Sequence, residues 1–296
     1  MTIQQYLKQI AGFSNAQIRS MKFTENGICL GGQRARVTTR LSEGDVLEVL
    51  LETKNSSSAH LLSFEQMPDI LYEDADVIAV NKPAGMAVHP SHGHYQDTLA
   101  NQLAYYFRKN TQQVEIHSIG RLDLETSGIV LFAKHRAAAA RLSRQREDGR
   151  LQKTYLAICS GIFAEKNGTL NGAIAPLPGS LMKMCVSKDG KPAVTHYQVQ
   201  KQYMEAALVR LTLETGRTHQ IRVHMADAGH PLIGDRLYFA DTDQKADVDA
   251  ENCFTGIKRA ALHASRICFY QPFEGKRITV EAPFPEDMKK CLFRDE

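Results

Sequence analysis

The chain has 296 residues, of which 43% are hydrophobic and 23% charged, a composition typical of a globular protein with one large domain or two unequal ones. The formal net charge of +3 is too small to identify a nucleic-acid-binding protein by itself. No apolar stretch approaches the roughly 20 residues of a membrane-spanning helix, and residues 1 to 20 lack a signal-peptide apolar region, so we expect a cytoplasmic protein without membrane contact.

Residues 1 to 52 predict a small α+β unit. Apolar residues recur at helical spacing from Ile3 to Ile10, and the polar run 14–17 is typical of the capped start of a second helix. Short strands are predicted around 28–30 and 46–50, with Gly-rich turns beside them. The unit therefore combines two helices with at least two strands.

This order of elements resembles the α-L type RNA-binding domain of the fourth small-subunit ribosomal protein. The positions that carry the resemblance are Gly27, Gly32, Leu41, Gly44 and Asp45. A plain α+β appendage is the alternative. Because the polar run 54–58 has the composition of a linker, we predict an N-terminal domain with its linker over 1–58 and a second domain over 67–296.

The second domain is predicted to open with two short strands between Ile70 and Lys82, separated by an acidic turn. His89, His92 and His94 follow in a loop with Pro90 and Gly93, and no acidic residue or cysteine completes a metal site. The six cysteines are scattered without a C-x-x-C pair. We therefore predict no metal, no disulfide framework and no cofactor.

The most informative stretch runs from His117 to His135. Its apolar residues 129–133 are short, β-branched and aromatic, which predicts a buried strand, and Asp123 lies at the mouth of that strand. An ionised carboxylate there must be paired or hydrogen-bonded. Asp123 is therefore a candidate catalytic residue, and an ordinary carboxylate in a turn is an equally good interpretation of these residues alone.

A basic helix is predicted directly after that strand. From Lys134 to Lys153 seven Lys or Arg residues face two acidic ones, and residues 136–146 have a strongly helix-forming composition. Such a helix suits an RNA backbone. A solvated helix face is the alternative.

Two further strands are predicted, over 152–161 and 208–215, and a cationic helical segment follows the second. In that segment His219 and His224 lie five residues apart, which is not the spacing of a zinc-binding helix. Residues 239–258 predict an exposed acidic insertion.

Four motifs in this order resemble the RluA-type family of pseudouridine synthases. They are Asn81–Gly85 with His89-Pro90, Gly120–Gly128, Lys153–Tyr155 and Gly216–His224, and the likeness continues to Pro285. The family usually has histidine before Arg-Leu-Asp, where this chain has Gly120. The resemblance implies an α+β fold with a curved, mostly antiparallel mixed sheet flanked by helices and loops.

The resemblance also implies a function: isomerisation of selected uridines in structured ribosomal or transfer RNA to pseudouridine, by a monomer without a cofactor. Asp123 would be the catalytic carboxylate, Arg121 would extrude the uridine, Tyr155 would stack on it and Arg222 would pair with Asp123. With the basic helix, the motifs nominate further RNA-binding residues: Lys82, His89, Thr126, Arg144, Arg146, Lys153, Arg217 and His219.

Two other functions fit parts of the sequence. Asp123 and Glu125 could serve a glycosidic-bond hydrolase as paired carboxylates, although we expect these two side chains to point to opposite sides. Alternatively, the chain could bind RNA without catalysis, through its basic helix and N-terminal unit.

Overall fold

The first 50 residues form a small α+β unit with its own core. The structure is a computed structural model that describes residues 1–50, 61–91, 93–112, 114–239 and 257–292. The elements of the unit are α1 (Ile3–Gln5), which continues as a π-helical turn (Tyr6–Ile10), α2 (Asn15–Phe23), β1 (Ile28–Leu30), β2 (Gln33–Arg34) and β3 (Leu47–Val49). Both predicted helices and both predicted strands are confirmed.

The predicted cap explains where α2 begins. The Ser14 hydroxyl accepts a hydrogen bond from the Gln17 amide at 3.2 Å, and the Gln17 side chain accepts one from the Ser14 amide at 2.8 Å. This reciprocal capping box satisfies two of the amide groups that a helix start leaves free. The three strands form an antiparallel sheet in the order β2-β1-β3.

The N-terminal unit packs against a helix of the second domain, α4 (Arg136–Glu147). Ala137 of α4 belongs to the same core cluster as Ile3 and Leu7. Arg141 donates from Nε to the carbonyl of Ala11 at 2.7 Å and lies over the Phe273 ring. The predicted linker at 54–58 lies outside the described residues, so the division into domains stays a prediction.

A ten-stranded mixed sheet forms the centre of the second domain. Its strands are β4 (Ile70–Glu73), β5 (Val77–Lys82), β6 (His117–Ser118), β7 (Ser127–Ala133), β8 (Gln152–Ser160), β9 (Asn167–Asn171), β12 (Val194–Gln202), β13 (Ala206–Leu213), β14 (Leu262–Tyr270) and β15 (Arg277–Glu281). Eight of them run in the order β4-β5-β7-β14-β8-β13-β12-β9, while β6 pairs with β7 and β15 with β14. A separate hairpin joins β10 (Ile174–Pro176) to β11 (Met184–Val186).

Antiparallel pairing dominates the sheet, as expected. Among the strand pairs of the described residues, β7 with β14 is the parallel one. Strand β7 is buried over its whole length, with Val130 and Phe132 in the core on one face and Ile129 and Leu131 in the core on the other. This alternation is what a strand at the centre of a sheet requires.

Helices cover the sheet and connect its strands. Besides α4 they are α3 (Leu99–Lys109), α5 (Gln220–Asp227) and α6 (Glu286–Leu292). Helix α4 begins directly after β7, where the His135 ring accepts a hydrogen bond from the Ala138 amide at 3.3 Å. The predicted sequence of buried strand followed by basic helix is therefore confirmed.

No helix among the described residues has the length and hydropathy to cross a membrane. In the same part of the chain, no group of three or more His, Cys, Asp or Glu side chains is arranged to hold a metal ion. The predicted acidic insertion at 239–258 lies outside the described residues, apart from its ends.

Candidate active site

A cleft of about 760 Å³ opens where three loops meet at the sheet. Its walls come from residues 119–126 before β7, residues 146–155 around the start of β8, and residues 213–222 between β13 and α5. Nine of the predicted site residues line it: Arg121, Asp123, Thr126, Arg146, Lys153, Tyr155, Arg217, His219 and Arg222. Segments far apart in sequence thus converge on one site.

Asp123 lies in a tight turn immediately before β7. The Thr126 amide donates to the Asp123 carbonyl at 3.1 Å, and the Asp123 side chain is 28% exposed. The Thr126 hydroxyl, predicted to contact RNA, is buried and has no hydrogen-bond partner among the described residues. The turn therefore presents a partly exposed carboxylate to the cleft above a buried strand.

Arg222 carries the positive charge nearest to Asp123, but its main partner is another acid. It donates from Nε and Nη2 to the two carboxylate oxygens of Asp235, at 2.6 and 2.7 Å. Its Nη1 lies 3.7 Å from Oδ2 of Asp123. The predicted pairing of Arg222 with Asp123 is therefore present as an ion pair without a hydrogen bond, and the two hydrogen bonds of the guanidinium go to Asp235 instead.

Burial explains why Asp235 is needed. Arg222 is 5% exposed, a situation that costs free energy unless a carboxylate accepts its hydrogen bonds. Burial alone would lower the pKa of Arg222, yet its hydrogen bonds to Asp235 and the nearby carboxylate charges raise that pKa overall. The completely buried Asp235 also accepts from the Leu237 and Tyr238 amides. This network fixes a cation beside Asp123.

Glu125 also lies near that cation. Its Oε2 is 4.0 Å from Nη2 of Arg222 and accepts a hydrogen bond from the Ala260 amide at 3.1 Å. The prediction that Asp123 and Glu125 point to opposite sides is wrong: side chains two residues apart share a face even on an extended chain, and here both carboxylates lie within 4.0 Å of the Arg222 guanidinium. Glu125 nevertheless holds the backbone near Ala260, which is a structural role.

Tyr155 forms an apolar wall of the cleft. It lies on β8, paired with Leu211 of β13, and is 7% exposed. Burial and the charge of Asp123 raise the pKa of its hydroxyl well above the usual value, so the phenol stays protonated. A flat, uncharged ring beside a carboxylate offers a surface on which a base can stack.

Two cations of the cleft lining, Lys153 and Arg146, lie close to Gly120. A Cβ built there would lie 3.6 Å from Nζ of Lys153 and 3.8 Å from Nη1 of Arg146. Burial and the charge of Arg146 lower the pKa of Lys153 to about 8. Gly120 has a φ of +85°, which is costly for a residue with a side chain. The glycine thus permits a backbone conformation that brings two cations together.

Arg121 and Arg217 lie in other parts of the cleft lining. Arg121 is exposed, and Arg217 donates from Nε to the Pro192 carbonyl at 3.0 Å. Both guanidinium groups are accessible from the cleft mouth, where a polyanion would approach.

Three predicted RNA-binding residues are absent from the cleft lining. Lys82 is completely buried, and its ammonium group donates to the carbonyls of Pro83, Met86 and Leu124 at 2.9, 2.7 and 3.1 Å. All three of its donors are used, so the structure contradicts an RNA contact. Burial lowers the pKa of Lys82 to about 7 although Asp123 opposes the shift. Lys82 ties the loop after β5 to the turn of Asp123.

The other two residues lie elsewhere on the surface of the second domain. His89 packs edge-on against Phe132 with ring centres 5.9 Å apart, and burial followed by the charges of His117 and Arg121 lowers its pKa. Arg144 is exposed on α4, where a Cβ built at Gly12 of the N-terminal unit would lie 3.3 Å from its Nη1. Arg144 therefore lies against the N-terminal unit.

Sequence reasoning missed Asp235 and Tyr238 as site residues. Tyr238 is buried, lies against the Arg222 guanidinium at 5.1 Å and contacts His219. A buried arginine implies a buried acidic partner, but the chain has 33 Asp and Glu residues, and sequence spacing does not select among them.

Comparison with known proteins gives a consistent set of relatives. A family profile described as RNA pseudouridylate synthase matches residues 76–227. The chain is similar to the RNA pseudouridine synthase YjbO of Bacillus subtilis, with 36% identity over 99% of this chain and 98% of that protein. It is 38% identical to ribosomal large subunit pseudouridine synthase D of Neisseria meningitidis, over 89% of this chain and 67% of that protein.

Solved structures agree on the fold. Human RNA Pseudouridylate Synthase Domain Containing 1 matches with a TM-score of 0.59 and 27% identity, over 81% of this chain and 90% of the human one. Human RNA Pseudouridylate Synthase Domain Containing 4 matches with a TM-score of 0.62 and 24% identity, over 75% and 91% of the two chains.

Proposed function

Since the chain belongs to the RNA pseudouridylate synthase family, an enzyme family that isomerises uridine in RNA to pseudouridine, we propose that Asp123 is its catalytic carboxylate and large-subunit ribosomal RNA its substrate. The observation that supports this role for Asp123 is its position. It is a partly exposed carboxylate in the cleft, beside a buried cation that a second carboxylate anchors. The name of the relative in Neisseria meningitidis supports the choice of RNA.

The reaction needs a carboxylate but neither an oxidant nor a reductant, since its product is an isomer of its substrate. Asp123 attacks the target nucleotide or removes a proton from it, and the bond between C1′ and N1 breaks with its electron pair leaving on the uracil. The detached uracil rotates in the cleft. C5 then joins C1′ as Asp123 either leaves the nucleotide or returns the proton that it removed; the C5 proton leaves and N1 gains a proton.

Arg222 keeps the Asp123 carboxylate in place. The guanidinium attracts the Asp123 carboxylate, and its two bonds to Asp235 prevent the guanidinium from following the substrate. Tyr155 supplies the stacking surface that a base removed from its helix needs. Arg121, exposed in the cleft lining, enters the gap that the extruded uridine leaves.

Arg146 and Lys153 bind the phosphates next to the target. Neither forms an ion pair with an acid among the described residues, whereas the neighbouring Arg150 pairs with Asp148 at 2.6 Å. Two cations in close approach repel each other, and a phosphate between them relieves that repulsion. The proposal places this activity in the cytoplasm and in a monomer.

Mapping pseudouridines in total RNA tests the choice of substrate. Cells with the gene, without it, and with the Asp123→Asn variant are compared at single-nucleotide resolution. We expect one or more sites in large-subunit ribosomal RNA to be lost in the second and third strains. Loss confined to transfer RNA would reject the ribosomal substrate, and an unchanged map would reject the role of Asp123.

A further inference from the structure

The backbone of His219 is held in an unusual conformation at the wall of the cleft. Its φ of +55° lies in the left-handed region, which residues with a side chain occupy at a cost, and its ring does not cap α5, which begins at the next residue. Such a conformation persists where surrounding contacts impose it, and it is found most often at functional sites. The contacts of the His219 ring should therefore indicate which function this backbone conformation serves.

The ring of His219 is oriented by one hydrogen bond. Its Nδ1 lies 2.9 Å from the hydroxyl of Tyr238, and the same hydroxyl accepts a bond from the Met184 amide at 2.9 Å. Tyr238 is 4% exposed, and leaving its hydroxyl proton without an acceptor would cost free energy. Of its partners among the described residues, Nδ1 of His219 is the one able to accept that proton. Tyr238 therefore donates to Nδ1.

This direction of donation fixes the tautomer of His219. A ring whose Nδ1 accepts a hydrogen bond carries its proton on Nε2. Burial lowers the pKa of His219, with the charge of Arg222 adding to that effect and Asp123 opposing it, so the ring is neutral near pH 7. Its Nε2 has no hydrogen-bond partner among the described residues, and the ring lines the cleft. The cleft thus contains a neutral N–H donor close to Asp123.

We propose that His219 donates a hydrogen bond from Nε2 to a carbonyl oxygen of the target uracil, and that Tyr238 is a positioning residue that fixes the tautomer required. This inference rests on the proposed function and adds a specificity-determining contact to it. Uracil carries two carbonyl groups, either of which is an acceptor of the kind that a neutral N–H matches.

A carbonyl is favoured over a phosphate by the distribution of charge in the cleft. Arg146 and Lys153 supply cations for phosphates at one side, and charged donors bind phosphates better than a neutral imidazole does. His219 instead lies where the charges of Asp123, Arg222, Asp235 and Glu125 all act on it, beside the proposed catalytic carboxylate. When the C1′–N1 electron pair leaves with the uracil, negative charge spreads to the carbonyl oxygens, so a fixed donor there also stabilises the breaking bond.

Three substitutions separate this role from a structural one. His219→Gly accepts the φ of +55° without steric cost, and His219→Asn tolerates it better than most residues, but neither reaches the position of Nε2. His219→Gln places an amide N–H near that position. We expect the first two variants to fold but to lower the single-turnover rate roughly 10- to 100-fold. This loss lies between the effect of removing a neutral hydrogen bond and the effect of removing an oxyanion donor. His219→Gln should recover part of the rate.

The deciding experiment pairs these variants with altered substrates. A large-subunit ribosomal RNA fragment, chosen because the wild-type enzyme converts one of its uridines, is synthesised with 2-thiouridine or 4-thiouridine at that position, and in a third version with a methylphosphonate on its 5′ side. Sulfur accepts hydrogen bonds weakly, so one thio substitution should slow wild type more than His219→Gly. Tyr238→Phe should fall between the two, because without the hydroxyl the His219 ring carries its proton on Nε2 only part of the time. The search for a fragment that wild type converts tests the proposed function first and independently of His219.

Two outcomes would overturn the inference. The first is a His219→Gly variant that melts like wild type and converts the unmodified fragment at the wild-type rate, because the ring would then have no role in the reaction. The second is a His219→Gly variant whose rate is slowed by both thio substitutions as much as that of wild type, but is slowed less than wild type by the methylphosphonate. That result would assign Nε2 to a phosphate.

Discussion

Replacing Arg222 tests whether its main role is to satisfy Asp235 or only to add positive charge to the cleft. In Arg222→Met the side chain keeps most of its length but loses its charge, and Asp235, which is completely buried, keeps a carboxylate with two backbone amides as partners. Removing one member of a buried ion pair typically costs about 3–5 kcal/mol. With a few degrees per kcal/mol for a large domain, the melting temperature should fall by roughly 6 to 20 °C.

Arg121→Met is the matched control. It removes the same charge from an exposed position in the same cleft, where substitutions usually change stability by less than about 0.5 kcal/mol. Both variants should slow pseudouridine formation in single-turnover assays, but only Arg222→Met should melt early. Arg121→Met should be slowest on uridines within a duplex and less impaired on an unstructured strand, where extruding the base costs less.

A double variant tests whether the unpaired Asp235 carboxylate causes the loss of stability. Combining Arg222→Met with Asp235→Leu removes the unpaired carboxylate as well, and replacing a whole buried pair by apolar residues is often neutral. The double variant should therefore regain much of the lost stability while remaining slow. Equal melting temperatures for Arg222→Met and Arg121→Met, or a double variant no more stable than Arg222→Met, would refute this account of the pair.

Three further predictions concern a histidine and two lysines. His263 is buried, and burial is the main cause that lowers its pKa to about 4. Because the unfolded chain binds more protons than the folded one below pH 6.5, the free energy of unfolding should fall by roughly 3 kcal/mol between pH 6.5 and 4. In urea titrations His263→Gln should show a smaller fall, and a pH dependence identical to that of wild type would contradict this role of His263. Lys153→Met should reduce the slope of log affinity for RNA against log salt by about 0.7 to 0.9, and the exposed Lys201→Met, on β12, should leave that slope unchanged. Lys82→Met should lower the melting temperature and slow pseudouridine formation without changing RNA affinity, because three backbone carbonyls lose their donor. A variant that melts like wild type but binds RNA more weakly would instead support an RNA contact for Lys82.

Local patterns in the sequence were sufficient to predict the elements that hold the site. The five apolar residues 129–133 predicted β7, the basic alanine-rich run predicted α4, and the serine at position 14 predicted the start of α2. Each depends on interactions between residues close in the chain, such as capping and side-chain alternation. The motifs, through family resemblance, also nominated most of the residues that line the cleft.

The pairings within the site depend on contacts between distant segments. Arg222 was assigned to Asp123, but Asp235 takes its two hydrogen bonds because the loop after α5 returns against the helix. Lys82 was nominated as an RNA-binding residue, but its ammonium group is buried and donates to three backbone carbonyls. The sequence contains every one of these groups, but polar and charged side chains can satisfy one another in many combinations, and the folded chain selects one.

Conversion of uridine by Asp123→Asn is the most direct test of the central claim. The variant keeps the size and shape of the side chain but removes its charge and replaces one acceptor oxygen by an amide donor. In a single-turnover assay on large-subunit ribosomal RNA, with RNA affinity measured in parallel, we expect binding close to wild type and no detectable pseudouridine. A variant that binds and converts the RNA at the wild-type rate would contradict the assignment of Asp123 as the catalytic carboxylate.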